Sequence, residues 1–366
     1  MLSLFRSSRL NIVQHLRTMS TTTVLSTLKP DVPAIGTHNG KFHCDEVFAC
    51  YMLKRLPEFH NHIILRTRDP NLLADCKLVV DVGGIYDHSA LRYDHHQREF
   101  KETMKSLDIL DFNTKLSSAG LVYAHYGKRV IGNILGLSHG DPVIDILYRK
   151  MYENFVEGVD AVDNGIPAFD GVPRYHLTGG ISGRIGHFNP NWNEDGVDPN
   201  ERFAKAMSVI GEEFEGALSY LYSAWWPARE IVEKALKRRT EYEASGKVLV
   251  FENGSCPWKE HFFDLEEELG LKGDEITYAV FGDQTNGDWR VQSIPVDALR
   301  QFENRLPLPE EWRGIRDADL SEKSGIAQCV FVHASGFIGG NKTMEGAIQM
   351  AVKSLKLADR YNNVAQ

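Results

Sequence analysis

Paired thiols are missing from this chain of 366 residues: its five cysteines (Cys44, Cys50, Cys76, Cys256 and Cys329) are odd in number and form no Cys-x-x-Cys. That argues against a disulfide framework and a thiolate zinc site, and it fits a reducing compartment. No run of roughly 18 apolar residues occurs, so no membrane insertion is expected. Basic charge is also short, with 41 Lys and Arg against 50 Asp and Glu and a net charge of −9. A protein that coats nucleic acid presents a broad basic face, and this composition disfavours that class. An enzyme that holds a short strand stays open, because bound divalent cations offset phosphate charge and acidic residues are their ligands. There is no internal repeat and no low-complexity segment. What is present, 42% hydrophobic and 25% charged residues, suits a globular protein with a sizeable core, and the length suggests two domains.

One absence is local. Residues Met1 to Pro30 hold no Asp or Glu, but Arg6, Arg9, Arg17, Lys29 and ten Ser or Thr. Phe5, Ile12 and Leu16 share one side of a short helix at this spacing. Such a start has the character of a mitochondrial transit peptide, the bland alternative being a disordered N-terminus. Met19 offers a second start that drops most of the signal, which predicts a further pool in nucleus or cytoplasm.

Beyond the leader, strands alternate with helices. Pro33–His38, Ile63–Thr67 and Lys77–Val82 read as strands; Asp45–Leu56, Ser117–Tyr126 and Val143–Val162 read as helices. This alternation implies βαβ units and a parallel sheet, an α/β fold. Residues 165–199, rich in Gly, Asn and Pro, read as a connecting segment, and Glu201–Glu243 as one long helical pattern. From Gly246 the character changes to strands Lys247–Phe251, Thr277–Phe281, Arg290–Ile294 and Gln328–His333, with helices Phe262–Leu269 and Thr343–Leu357. A smaller α+β domain, mostly antiparallel with helices on one face, is expected there.

In an open parallel sheet, ligands bind outside the carboxyl ends of the strands. Those ends carry the reactive side chains: His38, then His43 and Asp45 on the turn into a helix, and Asp81, with Asp94-His95-His96 following in the next stretch of chain. Asp160 and Asp163 lie one helical turn apart, one expected as a ligand and the other as a cap. Imidazole mixed with carboxylate suits Mn²⁺, Mg²⁺, Zn²⁺ or Fe²⁺. A carboxylate bridging two ions would give a centre for in-line hydrolysis of a phosphoester or phosphoanhydride. Each residue has a plainer use as a turn former, cap or buried histidine. Two adjacent histidines after Asp94 have no such use.

At Tyr93-Asp94-His95-His96 the sequence resembles the DHH phosphoesterase superfamily, and from His38 onward it resembles the MYG1 (UPF0160) branch. The stretches THNGKFHCDE (37–46), VVDVGGIYD (79–87), RYDHHQREF (92–100), VDAVDNGIP (159–167), RVQSIP (290–295), LPLPEEWRG (306–314) and VHASGFIGGNKT (332–343) carry the likeness. The resemblance implies a DHH-type catalytic domain over 31–190, a linker and long connecting helix over 191–245, and a DHHA1-like substrate-binding domain over 246–366, with the active site in the cleft between. It implies two divalent ions, Mn²⁺ or Mg²⁺, held by His38, His43, Asp45, Asp81 as the bridge, His95 and Asp163, with Asp160 as the alternative. His96 would contact the scissile phosphate, Asp94 would orient a histidine, and Arg290, Gly336, Gly339, Gly340, Asn341 and Lys342 would hold substrate.

Two departures stand out. Four residues rather than three follow His38, and His43 occupies the place of an aspartate. Gly339-Gly340-Asn341 replaces a Gly-Gly-His, and asparagine carries no charge to a phosphate. The branch implies 3′→5′ exonuclease activity on single-stranded RNA or a short oligonucleotide, in mitochondria and nucleus. A hydrolase of small phosphates (pyrophosphate, short oligonucleotides or a cyclic dinucleotide) and a non-catalytic regulatory binding protein are the competing expectations. Trp225 and Trp226 suit base stacking or, more plainly, packing.

Overall fold

The computed structural model describes residues 22–29, 32–175, 179–273 and 275–360. Of the targeting segment expected over residues 1–30, only 22–29 lie within them. The chain divides into two compact units, Met1–Leu221 and Tyr222–Gln366.

The first unit is built on six short strands: β1 (Val24–Leu25), β2 (Ala34–Thr37), β3 (Ile63–Arg66), β4 (Leu78–Val80), β5 (Tyr86–Asp87) and β6 (Arg92–Tyr93). They order as β1-β3-β2-β4-β6-β5. All pairs are parallel except β5 with β6. β2, β3 and β4 are buried along their whole length, the pattern of a sheet covered on both faces. The α/β expectation is met.

Helix α1 (Cys44–Lys54) lies at the centre, buried from Cys44 through Leu53. A short α2 (Pro70–Ala74) starts on Asp69, whose carboxylate accepts the Asn71 N–H. Helix α3 (Ser118–Leu135) runs nine residues past its expected end, to Gly136 in the left-handed conformation that glycine adopts freely. The helix expected over Val143–Val162 is instead α4 (Val143–Met151), a π-helical turn (Tyr152–Val156) and α5 (Glu157–Asp163). A π turn adds a residue without breaking the apolar stripe, so periodicity alone does not reveal it. The segment expected as mere connection contains α6 (Ile181–Gly186), with Ile185 fully buried. Helix α7 (Pro199–Tyr220) closes the unit, capped by Asp198.

The long helical pattern expected over Glu201–Glu243 is likewise broken. A second π turn (Leu221–Trp225) separates α7 from α8 (Trp226–Lys237), and a short α9 (Arg239–Tyr242) follows. The second unit then contributes β7 (Val248–Phe251), α10 (Trp258–Glu268), β8 (Tyr278–Gly282), β9 (Trp289–Ser293), α11 (Asp317–Ser324), β10 (Cys329–Val332), β11 (Ile338–Asn341) and α12 (Met344–Leu357). Its sheet runs β10-β11-β9-β8-β7, antiparallel apart from β7 with β8.

Helices cover both faces of this sheet, where one face was expected. Val248 and Val250 pack with Met350 and Ala351 of α12, while Leu249 and Phe251 pack with Leu236 of α8 and Phe262 of α10. The unbroken apolar run Val-Leu-Val-Phe of β7 is what a strand buried on both sides requires.

Candidate metal centre

Three neighbouring parallel strands, β2, β4 and β6, deliver their carboxyl ends to one place. His38 follows β2, Asp81 follows β4, and Asp94, His95 and His96 follow β6. Asp81 adopts φ +57°, a left-handed conformation that aspartate tolerates better than most residues. This turns the chain sharply as the strand stops. Two residues later Gly83 and Gly84 also take positive φ, and the Gly84 N–H donates to Asp94 Oδ2 at 2.6 Å.

The loop from His38 to His43 is fixed from beside it. Buried Arg66, at the end of β3, donates to the Gly40 carbonyl at 2.6 Å and lies over the Phe42 ring. Helix α1 then begins, bringing Asp45 and Glu46 in on its first turn, both fully buried. The N-terminus of α3 faces the same carboxylates: the Ser118 N–H donates to Asp45 Oδ2 (3.3 Å) and the Ser118 hydroxyl to Asp81 Oδ1 (3.4 Å).

The side chains converge in three overlapping sets whose donor atoms lie within 4.8 Å of one another: His38, His43, Glu46 and Asp81; Asp81, His95 and His96; His43, Asp45 and Asp163. Asp81 is common to the first two, and His43 to the first and third. His38 Nε2 stands 2.9 Å from Glu46 and 3.3 Å from Asp81. His95 Nε2 stands 3.1 Å from Asp163, 3.4 Å from Asp81 and 3.8 Å from Asp45.

Electrostatics follow from this crowding. Burial opposes charge on His38, yet its hydrogen bonds to Asp81 and Glu46 outweigh that and push it up to about 10. His95, likewise buried, is pushed up to about 9 by Asp163 and Asp81. Burial would raise Asp81, but His38 and His95 hold it well below the usual carboxylate range. Asp45 goes the other way: burial, then the charges of Asp81, Asp163 and Glu46, raise it strongly. Among the described residues no Lys or Arg pairs with any of these four carboxylates.

The donor set fits a cation. Asp45 Oδ1 and both ring nitrogens of His95 are buried without a hydrogen-bond partner. Three carboxylates surround His95 Nε2. Buried polar atoms left without a partner are costly, and clustered carboxylates repel unless positive charge lies among them. Imidazole nitrogens and carboxylate oxygens are ligands of the first-row divalent ions and, through oxygen, of Mg²⁺.

Asp94 and His96 sit beside this group. Asp94 is buried and accepts from the His96 N–H (3.1 Å) and ring Nδ1 (2.8 Å). Burial would raise Asp94, but these bonds and that of Gly84 hold it low. The His96 ring, 63% exposed, is raised by its bond to Asp94.

Asp160 and Asp163, both on α5, are separated by their partners. Asp160 Oδ1 accepts from the Ser117 N–H (3.0 Å), the Ser117 hydroxyl (2.6 Å) and the Gly120 N–H (2.9 Å), and Oδ2 accepts from the Tyr152 hydroxyl (3.1 Å). It caps α3 from a distant part of the chain, a task that more often falls to the residue just before a helix. Burial pushes its carboxyl up to about 7 against those four donors.

Sequence reasoning missed Glu46 and Ser118. Glu46 stands three residues after His43 and its carboxylate accepts the His43 N–H with both oxygens, each at 3.0 Å. At sequence level that spacing signals only a helix start. Full burial is what sets Glu46 apart, and burial was not legible there.

In the second unit, Arg290 on β9 bonds Asp283 Oδ2 (2.5 Å), and Lys342 bonds Asp288 Oδ1 (2.9 Å). Gly336 lies in the turn between β10 and β11, while Gly339 and Gly340 lie within β11, paired on both sides. Asn341 is fully buried, donating to the Ala327 carbonyl (2.8 Å) and accepting from the Thr343 N–H (3.0 Å) at the start of α12. Trp225 is buried, its indole donating to Glu260 (2.6 Å) and its ring packed on His261.

Parallel strand ends that gather imidazoles and carboxylates define an α/β protein with a candidate metal centre. A family model described as "Uncharacterised protein family (UPF0160)" matches residues 34–355, and the chain belongs to this family. It is 60% identical to a MYG1 protein of Caenorhabditis elegans over 325 residues, 89% of this chain and 96% of that protein. It is 52% identical to the "MYG1 exonuclease" of Mus musculus and 50% identical to that of Homo sapiens, covering 88% of this chain in each case and 85% and 86% of those proteins.

Proposed function

We propose that this chain is a metal-dependent phosphodiesterase of the DHH type that removes nucleotides from the 3′ end of single-stranded RNA. The observation that carries the reading is Asp81: its Oδ2 stands 3.3 Å from His38 Nε2 and its Oδ1 3.4 Å from His95 Nε2, as a carboxylate between two ions would. The mouse and human relatives bear the name exonuclease, which supports a nucleic acid as substrate.

On this reading His38, His43, Glu46 and Asp81 would hold one ion, and Asp45, Asp81, His95 and Asp163 would hold the other, Mn²⁺ or Mg²⁺. Such a pair, when bound, supplies Lewis acidity toward a phosphoryl oxygen and makes water a better nucleophile at neutral pH. The remaining work belongs to the chain. Asp94 fixes the His96 ring through Nδ1, leaving Nε2 for the scissile phosphate, and raises the proton affinity of the ring. Ser118, through N–H and hydroxyl, keeps Asp45 and Asp81 oriented. The acid-free leader supports a location in the mitochondrial matrix, and translation from Met19 would leave a pool in nucleus or cytoplasm.

A hydrolase of small phosphates is the second reading, favoured by the net charge of −9. RNA labelled at either end, incubated with Mn²⁺, Mg²⁺ or EDTA, tests the proposal. Metal-dependent release of mononucleotides from the 3′ end is expected. Preference for a dinucleotide over a long strand selects the second reading, and no hydrolysis of either rejects both in favour of a binding protein.

A further inference from the structure

Trp192 is 98% exposed, an unfavourable place for the largest apolar side chain unless something covers it. Its backbone, in contrast, is firmly held. The Glu194 N–H donates to the Asn191 carbonyl (3.1 Å), and Glu194 Oε2 accepts from the Asn191 N–H (3.0 Å) and side-chain amide (3.2 Å), closing a turn around Trp192. Glu194 Oε1 accepts from Arg202 of α7 at 2.7 Å.

The other end of this segment is pinned to the metal motif. Asn189 accepts from the Phe42 N–H and donates to the Phe42 carbonyl, both at 2.8 Å. Both bonds fall on the residue immediately before His43. Three residues lead from Asn189 to Trp192, a span of at most about 11 Å. An ordered turn thus presents a bare indole three residues along the chain from Asn189, which is bonded to the neighbour of His43.

We propose that Trp192 is the stacking platform for a nucleobase of the strand whose phosphate enters that centre, an inference that rests on the exonuclease reading above. Any base offers a π face, so stacking holds a strand without reading its sequence. It also does not depend on positive charge, which suits a chain with more acidic than basic residues.

The test compares KM for a single-stranded RNA with KM for a phosphodiester strand of equal length that lacks bases, using the full chain with Mn²⁺. The wild type is expected to favour the base-bearing strand. Trp192→Ala should reduce that preference by about five- to a hundredfold, the worth of one stacked base, and Trp192→Phe should retain most of it. An undiminished preference in Trp192→Ala overturns the inference. A wild type that cleaves both strands with equal KM overturns it too, while leaving the exonuclease reading standing. A wild type that cleaves neither overturns that reading, and this one with it.

Discussion

Asp160 and Asp163 occupy one helix three residues apart, yet one faces four hydrogen-bond donors and the other an imidazole. Substitution by Asn separates the two uses. Asn at 160 keeps an oxygen for Ser117 and Gly120 and presents an amide that Tyr152 can accept, so Asp160→Asn should bind Mn²⁺ within about threefold of wild type. Asp163→Asn should weaken Mn²⁺ binding by more than about tenfold, as removal of a charged ligand does. Isothermal titration reads both, and the reverse order would move the ligand assignment to Asp160. His96→Ala should lower kcat by about 10²-fold or more with metal content retained, the usual worth of one positioned acid or electrostatic group. Loss of metal in that variant would make His96 a ligand.

The two buried imidazoles also set a pH dependence. His38 and His95 are raised from 6.5 to about 10 and about 9. In the metal-free protein their contribution to stability is fully present below pH 6.5, the unfolded value, and is lost as pH rises through about 9 to about 10. A metal ion must displace those protons, so affinity climbs across the same interval. The rise in Tm on adding Mn²⁺ should therefore grow from pH 6.5 to pH 9. A constant or shrinking rise would contradict the ligand roles of both histidines.

At the scale of elements, the N-terminus of α3 is the piece that ties the centre together, its Ser118 N–H and positive dipole end facing Asp45. Gly120 sits on its first turn, where an added Cβ would lie 2.3 Å from Asp160 Oδ2. Gly120→Ala should cost about 1–3 kcal/mol in chemical denaturation, the usual range for overpacking. By displacing the cap it should also shift Ser118 and weaken Mn²⁺ binding; unchanged affinity would show that α3 does not position the carboxylates. Much of this scale was legible in the sequence. Strand ends at His38 and Asp81 follow from short β-rich runs that stop at turn residues, whereas the two-residue β6 before Asp94 is too short to read. The two π turns were not legible, because the apolar stripe continues through them. Glu46 was hidden by its resemblance to a helix-start residue. Asn341, read as a substrate contact, is spent inside the fold on Ala327 and Thr343, and spacing does not report burial.

For the whole molecule, every donor set found among the described residues lies in the unit ending at Leu221. Metal binding should then stabilise that unit selectively. Mn²⁺ at about a hundred times its Kd would add about 2.7 kcal/mol, so calorimetry of the intact chain should show one transition moving upward and one staying in place. Equal movement of both would mean that the units unfold together or that the second also binds metal. The α/β class followed from strand–helix alternation. The double helical cover of the second sheet did not, although the run from Val248 to Phe251 carries its mark.

Everything proposed for the centre turns on Asp81 joining two cations at the strand ends. Anomalous scattering from crystals of the chain loaded with Mn²⁺ would locate them. Two peaks are expected about 3.5–4 Å apart, both within ligand distance of Asp81. Peaks away from Asp81, or none at a concentration that supports turnover, would contradict the bridging role.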